Sequence, residues 1–309
     1  MSDEMTYKPW PGRTFFLAFS ALLALASIIA VMTAGLNFGV DFTGGSLLER
    51  RFERPVTVSE VRAALETDAL ADLQLASPVV QALDAPGDIL IRVPVMEAEH
   101  IDRIDAVLTE AIGPAEVLRT ELIGPVIGQE LVRNAIWALI VASVGMLIYL
   151  SFRFEFIYAA VAVIAIVLDA LVVLGLVAVL QMELNTPFIA AILTVVGYGI
   201  NDTIVIFDRI RENMRLRKRE SVAAIVGASV RQSLTRSINT SVTTLFTVLA
   251  ILFFGGASIR DFALVLAVGI VVGTYTSIFF ASHLFTVWKE RSEAGRGGRG
   301  GVRLAAKEA

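Results

Sequence analysis

No cysteine occurs among the 309 residues, which excludes disulfides and any cysteine-based metal or redox chemistry. Histidine is nearly absent. His100 and His283 are the two present, far apart in sequence and without a surrounding cluster of ligands. His283, near the end of the last apolar run, reads as structural or interfacial rather than as a relay. No nucleotide-binding loop is present, so ATP hydrolysis would have to come from a partner. The net charge of −4 decides little, because the placement of charge matters more than its sum. The expectation is a protein without covalent catalysis.

What fills the chain instead is apolar. Hydrophobic residues make up 56% of it and the mean hydropathy is +0.72. A hydrocarbon core about 30 Å thick needs about 20 apolar residues in a row. Six segments qualify: 14–35, 134–152, 157–181, 187–207, 237–255 and 262–286. Backbone polar groups in lipid must be satisfied internally, so these are predicted to be helices of an integral membrane protein.

Charge asymmetry sets the expected orientation. With residues 1–13 inside, the cytoplasmic pieces carry Lys8, Arg13, Arg153 and a basic loop, 208–236. That loop holds Arg209, Arg211, Arg215, Arg217, Lys218, Arg219, Arg231 and Arg236. The outer turns, 182–186 and 256–261, carry only Arg260. Both ends therefore belong in the cytoplasm, with 287–309 as a flexible basic tail containing Gly295–Gly301. The tail could touch anionic lipid or simply solubilise the chain. The first span is too long for a typical signal-peptide core and reads as an uncleaved anchor, with a cut near Thr33-Ala34-Gly35 as the alternative.

Residues 36–133 have ordinary soluble composition and suffice for one small domain. Ser46–Phe52 alternates as a strand, and 59–70 reads as a helix with Ser59 as N-cap. A strand over 73–83, the turn Asp84-Ala-Pro-Gly87 and a strand at Asp88–Val93 follow. Residues 98–112 place Ile101, Ile104, Val107, Leu108 and Ala111 on one helical face, and a last strand covers 115–122. The order βαββαβ predicts a ferredoxin-like α+β fold on the periplasmic side. Its scattered charges suit an interaction module.

Polar residues inside the apolar runs carry the functional signal. Asp202 lies in PFIAAILTVVGYGINDTIVIF, and a carboxylate at membrane depth is costly enough to imply a proton relay, an ion path or a buried ion pair. Gly197 and Gly199 just before it permit close helix approach or local distortion. The fifth span carries Arg236, Asn239, Thr240, Thr243, Thr244 and Thr247, a polar stripe at helical spacing that should face other protein. Asp169 lies near the middle of the third span. Asp202 is about five residues, or about 7 Å, from the inner end of its span, matching the depth of Asn239 and Thr240. A contact between Asp202 and the Arg236–Thr240 turn is expected, either as a proton relay or as a static ion pair joining two spans. Asp169 suits a relay or structural hydrogen bonding equally.

Phe38-Gly-Val-Asp-Phe-Thr-Gly-Gly45 resembles the SecD/SecF signature FGxDFxGG. Val196–Arg209 and Arg236-Ser-Ile-Asn-Thr-Ser241 are similar to the SecF patterns, and the likeness runs from about residue 13 to 288. Asp41, Gly44 and Gly45 suit a tight turn where the chain starts its first strand, so Asp41 reads as structural. The resemblance implies a six-span subunit of the resistance-nodulation-division superfamily, half of a pseudo-symmetric bundle completed by SecD in the bacterial inner membrane. It implies use of the proton gradient, without a bound cofactor, to draw preproteins out of the SecYEG channel. YajC and YidC are further partners it implies, and nucleic acid is not among them. Asp202, Arg236 and Thr240 match the family's proton-path positions. Leu168 stands before Asp169 where a histidine is expected, which weakens the case for that acid. H⁺ is the implied coupling ion and Na⁺ the alternative. A passive translocon scaffold, or an exporter of small molecules or lipids, are the competing readings.

Overall fold

The computed structural model describes residues 8–305 apart from 74, 76–77, 84, 95–96 and 217–219. Asp84 of the expected turn, the basic residues Arg217, Lys218 and Arg219, and Lys307 therefore lie outside the described residues. The chain divides into two units, one of 1–37, 139–183 and 187–309, the other of 38–138 and 184–186.

Among the described residues six helical stretches are long and apolar enough to cross a membrane. α1 covers Arg13–Ala34. The soluble block that follows contributes β1 (Gly45–Phe52), α2 (Val58–Leu65), β2 (Val79–Ala82), β3 (Asp88–Val93), α3 (Ala98–Ala111) and β4 (Ala115–Ile123). Then come α4 (Pro125–Arg153), α5 (Phe156–Leu180), α6 (Thr186–Leu216), α7 (Val222–Phe254) and α8 (Ala257–Tyr275). A π-helical turn, Thr276–Ala281, joins α8 to α9 (Ser282–Ala305).

Several boundaries differ from the sequence reading. The basic loop expected over 208–236 is largely helical, because α6 continues to Leu216 and α7 already begins at Val222. Arg and Lys are good helix formers, and Ile210, Val222, Val226 and Val230 pack into a core with Phe207, Tyr158 and Phe285. Hydropathy reports the part of a helix that matches lipid, not where the helix stops. The last span is interrupted by the π turn. The tail expected to be flexible continues as helix to Ala305, since no proline stops it, although each of its glycines costs about 1 kcal/mol.

In the smaller unit a four-stranded antiparallel sheet has the order β2-β3-β1-β4. Leu48 and Phe52 of β1 and Ile89, Ile91 and Val93 of β3 share a core with Val61 and Leu65 of α2 and Ile104 and Leu108 of α3. Between Leu48 and Phe52 the same face of β1 holds Arg50, whose guanidinium is buried. It grips Asp105 of α3 with two bonds of 2.8 and 2.9 Å and donates also to the Arg119 carbonyl and to Thr120. The N-cap of α2 is Thr57 rather than Ser59. Thr57 and Glu60 form a reciprocal capping box, which places Ser59 inside the first turn. The second strand is shorter than the predicted 73–83 because residues 68–73 form a 3₁₀ turn.

The glycine-rich turn before β1 is built around Asp41. Gly44 sits at φ 72, ψ 163, a region essentially open only to glycine. A side chain on Gly45 would meet the Val93 carbonyl at 2.6 Å. Asp41 itself is buried and accepts the Thr186 amide at 2.6 Å.

Candidate functional site

Burial along α6 recurs at Phe188, Ala191, Val195, Gly199, Asp202, Ile206, Ile210 and Asn213, the spacing of one helical face. Asp202 and its neighbour Thr203 fall on that face by periodicity alone and are 3% and 2% exposed. A carboxylate held there needs polar partners. The Asp202 Oδ2 accepts a hydrogen bond from Ser241 of α7 at 3.1 Å. Ser241 in turn lies 2.7 Å from the Thr274 hydroxyl on α8. Ser237, one turn before Ser241, has a buried hydroxyl that satisfies no hydrogen-bond geometry but lies beside the same carboxylate.

The polar stripe read from sequence on α7 is not the one that packs. Arg236, Asn239 and Thr240 are exposed, and among the described residues Arg236 forms no ion pair. The Thr240 hydroxyl bonds back to the carbonyls of Arg236 and Ser237. The buried edge is instead Ser229, Ser233, Ser237 and Ser241, one serine every fourth residue. Ser229 accepts from Asn213 of α6 at 2.8 Å, so this edge meets α6 near both its ends. The expected Asp202 contact therefore reaches α7 one residue past Thr240. The geometry gives no static ion pair between Asp202 and Arg236.

Asp169 of α5 is 2% exposed and accepts the Thr276 hydroxyl at 2.6 Å. Its other oxygen packs against Gly199, where an added methyl would approach it to 2.9 Å. Gly199 also faces Gly273 of α8, so α6 and α8 approach closely beside this acid. A methyl group added to Gly197 would meet open space, so that glycine plays no such part. Thr203 shares a 2.7 Å bond with Ser277. His283 is buried, its Nε2 3.2 Å from the Pro11 carbonyl. That bond is a structural one, joining the chain before α1 to α9.

Sequence reasoning passed over Ser237, Ser241, Thr274, Thr276 and Ser277. The period-four serine series is present in the sequence, but serine is weakly polar and the neighbouring threonines form a second stripe of equal polarity.

Residues 103–291 match the family model described as protein export membrane protein SecD/SecF, C-terminal, and residues 29–56 match the SecD/SecF GG motif. The chain belongs to the SecD/SecF family. Its SecF relatives include the protein translocase subunit SecF of Magnetococcus marinus, 42% identical over 91% of this chain and 92% of that one. The SecF of Desulfurispirillum indicum is 39% identical over 90% of each chain. SecDF of Thermus thermophilus is 39% identical over 92% of this chain but 38% of its own length. The crystal structure of SecDF, a translocon-associated membrane protein from Thermus thermophilus, superposes with a TM-score of 0.83 at 37% identity, over 92% of this chain. SecDF in a form described as super-membrane-facing gives 0.68 at the same identity. This SecD/SecF member spans 39% of each of those solved chains.

Proposed function

We propose that this chain is the SecF half of an accessory unit of the Sec translocase, coupled to the proton-motive force and active in late-stage preprotein translocation and release. It pairs with SecD, which in the Thermus relative is named within one chain, SecDF. Together they sit in the bacterial inner membrane beside SecYEG, with YajC and YidC as further neighbours and unfolded preprotein at the periplasmic face. Both termini are cytoplasmic. The βαββαβ unit is a ferredoxin-like periplasmic module, and the six spans are half of an exporter-type bundle. Protons are the coupling ion, Na⁺ the alternative, and no cofactor is needed.

The observation that carries this reading is Asp202, an acid 3% exposed on an apolar helix and held by a serine hydroxyl. One charge moved across about 100 mV yields about 2.3 kcal/mol, enough to bias a two-state equilibrium some fifty-fold. The outward stripe of Arg236, Asn239, Thr240, Thr243 and Thr247 supports the pairing. Polar groups at membrane depth face protein or water, so a second polypeptide covers them. Asp202 carries the proton, Arg236 tunes it across that interface, and Asp169 is a second buried carboxylate near the path. Export into inverted vesicles tests this. Asp202→Asn blocks gradient-driven release while leaving assembly with SecD intact, and imposed H⁺ and Na⁺ gradients identify the ion. Normal proton-driven release by the variant would sink the reading.

A further inference from the structure

Four consecutive residues where α8 enters the π turn each bond to a different helix. Thr274 reaches Ser241 of α7 at 2.7 Å, and Tyr275 reaches Ser20 of α1 at 3.0 Å. Thr276 reaches Asp169 of α5 at 2.6 Å, and Ser277 reaches Thr203 of α6 at 2.7 Å. Successive side chains on a helix point about 100° apart, so four in a row address the whole circumference. A π turn at such a point is a common mark of a functional segment.

Each of these hydroxyls has a second acceptor in reach: for Tyr275 it is the Phe16 carbonyl of α1 and for Ser277 the Gly199 carbonyl of α6, but for Thr274 and Thr276 it is a carbonyl of α8 itself. Thr274 Oγ1 is 2.7 Å from the Ile270 carbonyl, and Thr276 Oγ1 is 3.1 Å from that of Gly273. A hydroxyl donates one hydrogen at a time. With Asp202 ionised, Ser241 must donate to it and Thr274 to Ser241, leaving the Ile270 carbonyl without that bond. With Asp202 protonated, its own O–H can donate to Ser241, Ser241 to Thr274, and Thr274 to the Ile270 carbonyl. The two bonds linking Asp202, Ser241 and Thr274 reverse direction, and protonation adds a third, from Thr274 to the Ile270 carbonyl. Asp169 has the same arrangement in shorter form, through Thr276 to Gly273. Among the described residues no charged group faces Asp169. Arg236 of α7 is, among the described residues, the one charged side chain near Asp202, and Tyr275 is turned away toward α1.

We propose that Thr274 and Thr276 are positioning residues that report the protonation of Asp202 and Asp169 to the backbone of α8, by donating to the Ile270 and Gly273 carbonyls only when the acids carry a proton. Threonine bonds of this kind to the preceding turn bend helices, so the junction between α8 and the π turn is the part that moves. The inference rests on the reading of Asp202 as a proton carrier, and adds the element that reads it.

Hydrogen exchange of amides 270–281, in the full chain assembled with SecD in nanodiscs, tests it. Protection in this segment, corrected for intrinsic pH dependence, should change about fivefold across the titration of Asp202, roughly the net worth of one hydrogen bond. Thr274→Val should abolish that pH response and Thr274→Ser should restore it. Thr276→Val and Thr276→Ser give the same comparison for Asp169. A hydroxyl with a purely structural role would shift protection equally at all pH values, and that outcome overturns the proposal. So does a pH response that survives in Thr274→Val with Asp202 intact. The outcome is separable from the coupling reading. A failure of Asp202→Asn to block export removes the function, whereas a flat exchange profile alongside blocked export removes only the reporter.

Discussion

Ser27 of α1 and Gly175 of α5 meet at backbone distance: a methyl group built on Gly175 would stand 2.6 Å from the Ser27 Cα and 2.5 Å from its Cβ. Small residues let membrane helices approach this closely, and the dispersion gained there replaces the hydrophobic drive that lipid removes. Gly175→Ala cannot be absorbed by a rotamer change, because the obstructing atoms belong to the facing backbone and its first carbon. It should cost about 1–3 kcal/mol, the range for overpacking. Thermal unfolding in detergent checks this, with a lowered Tm for Gly175→Ala and little change for Gly145→Ala, where the added methyl meets open space.

Arg50 offers a test of the sheet unit. Its guanidinium is buried beneath α3 while Asp105 is about a third exposed, so removing the cation strands both the acid and the Arg119 carbonyl. Arg50→Met should destabilise this unit by on the order of 3 kcal/mol. Adding Asp105→Leu should recover part of that loss, since a buried pair replaced on both sides is often nearly neutral. Exchange protection of the β1 amides in the full chain measures both variants.

A pH dependence follows from Glu49, on the opposite face of β1. Burial pushes its carboxyl above the ordinary glutamate range, against the opposing pull of Arg119. The folded state then binds more protons than the unfolded state as pH rises past about 4.5, so this group's contribution to stability falls with rising pH. Glu49→Gln imitates the protonated form. It should match the parent below that pH and gain protection over it above, read from β1 exchange as a function of pH.

The exposed stripe of α7 can be probed without altering anything else, because the chain has no cysteine of its own. Thr240→Cys should react readily with a maleimide in the isolated chain and slow at least tenfold once SecD is bound. Val265→Cys, buried on α8, should be slow in both states. Equal reactivity of position 240 with and without SecD would show that the stripe is not the covered face.

The apolar runs and their approximate extents were legible because lipid imposes one requirement, length and hydrophobicity, on every span. Strands such as Asp88–Val93 and the helix at Ala98–Ala111 were legible because alternation and 3.6-residue periodicity act locally. Asp202 stood out by cost alone. Its partner did not, because Ser241 and Thr240 are adjacent in sequence yet point about 100° apart, one buried and the other exposed, and the phase of a helix rotated against its neighbours is a tertiary property. The π turn was hidden for a related reason. One extra residue in a turn leaves composition unchanged and is set by what Thr276 and Ser277 must reach.

The serine edge of α7 has a mechanical consequence. Between Ser229 and Ser241 the side of α7 that meets its neighbours carries hydroxymethyl groups at each fourth position. Past Val230 such a seam lacks the large apolar knobs that interlock leucine-lined helices, so it offers little steric resistance around Asp202. What resists displacement at Asp202 is a hydrogen bond worth about 1 kcal/mol, and the unoccupied Ser237 hydroxyl stands one turn farther along the same rail. At the level of Asp202, α6 and α7 are therefore joined by chemistry that a proton can change, whereas nearer the start of α7 the packing of Val222, Val226 and Val230 with Phe207 and Ile210 holds them by shape.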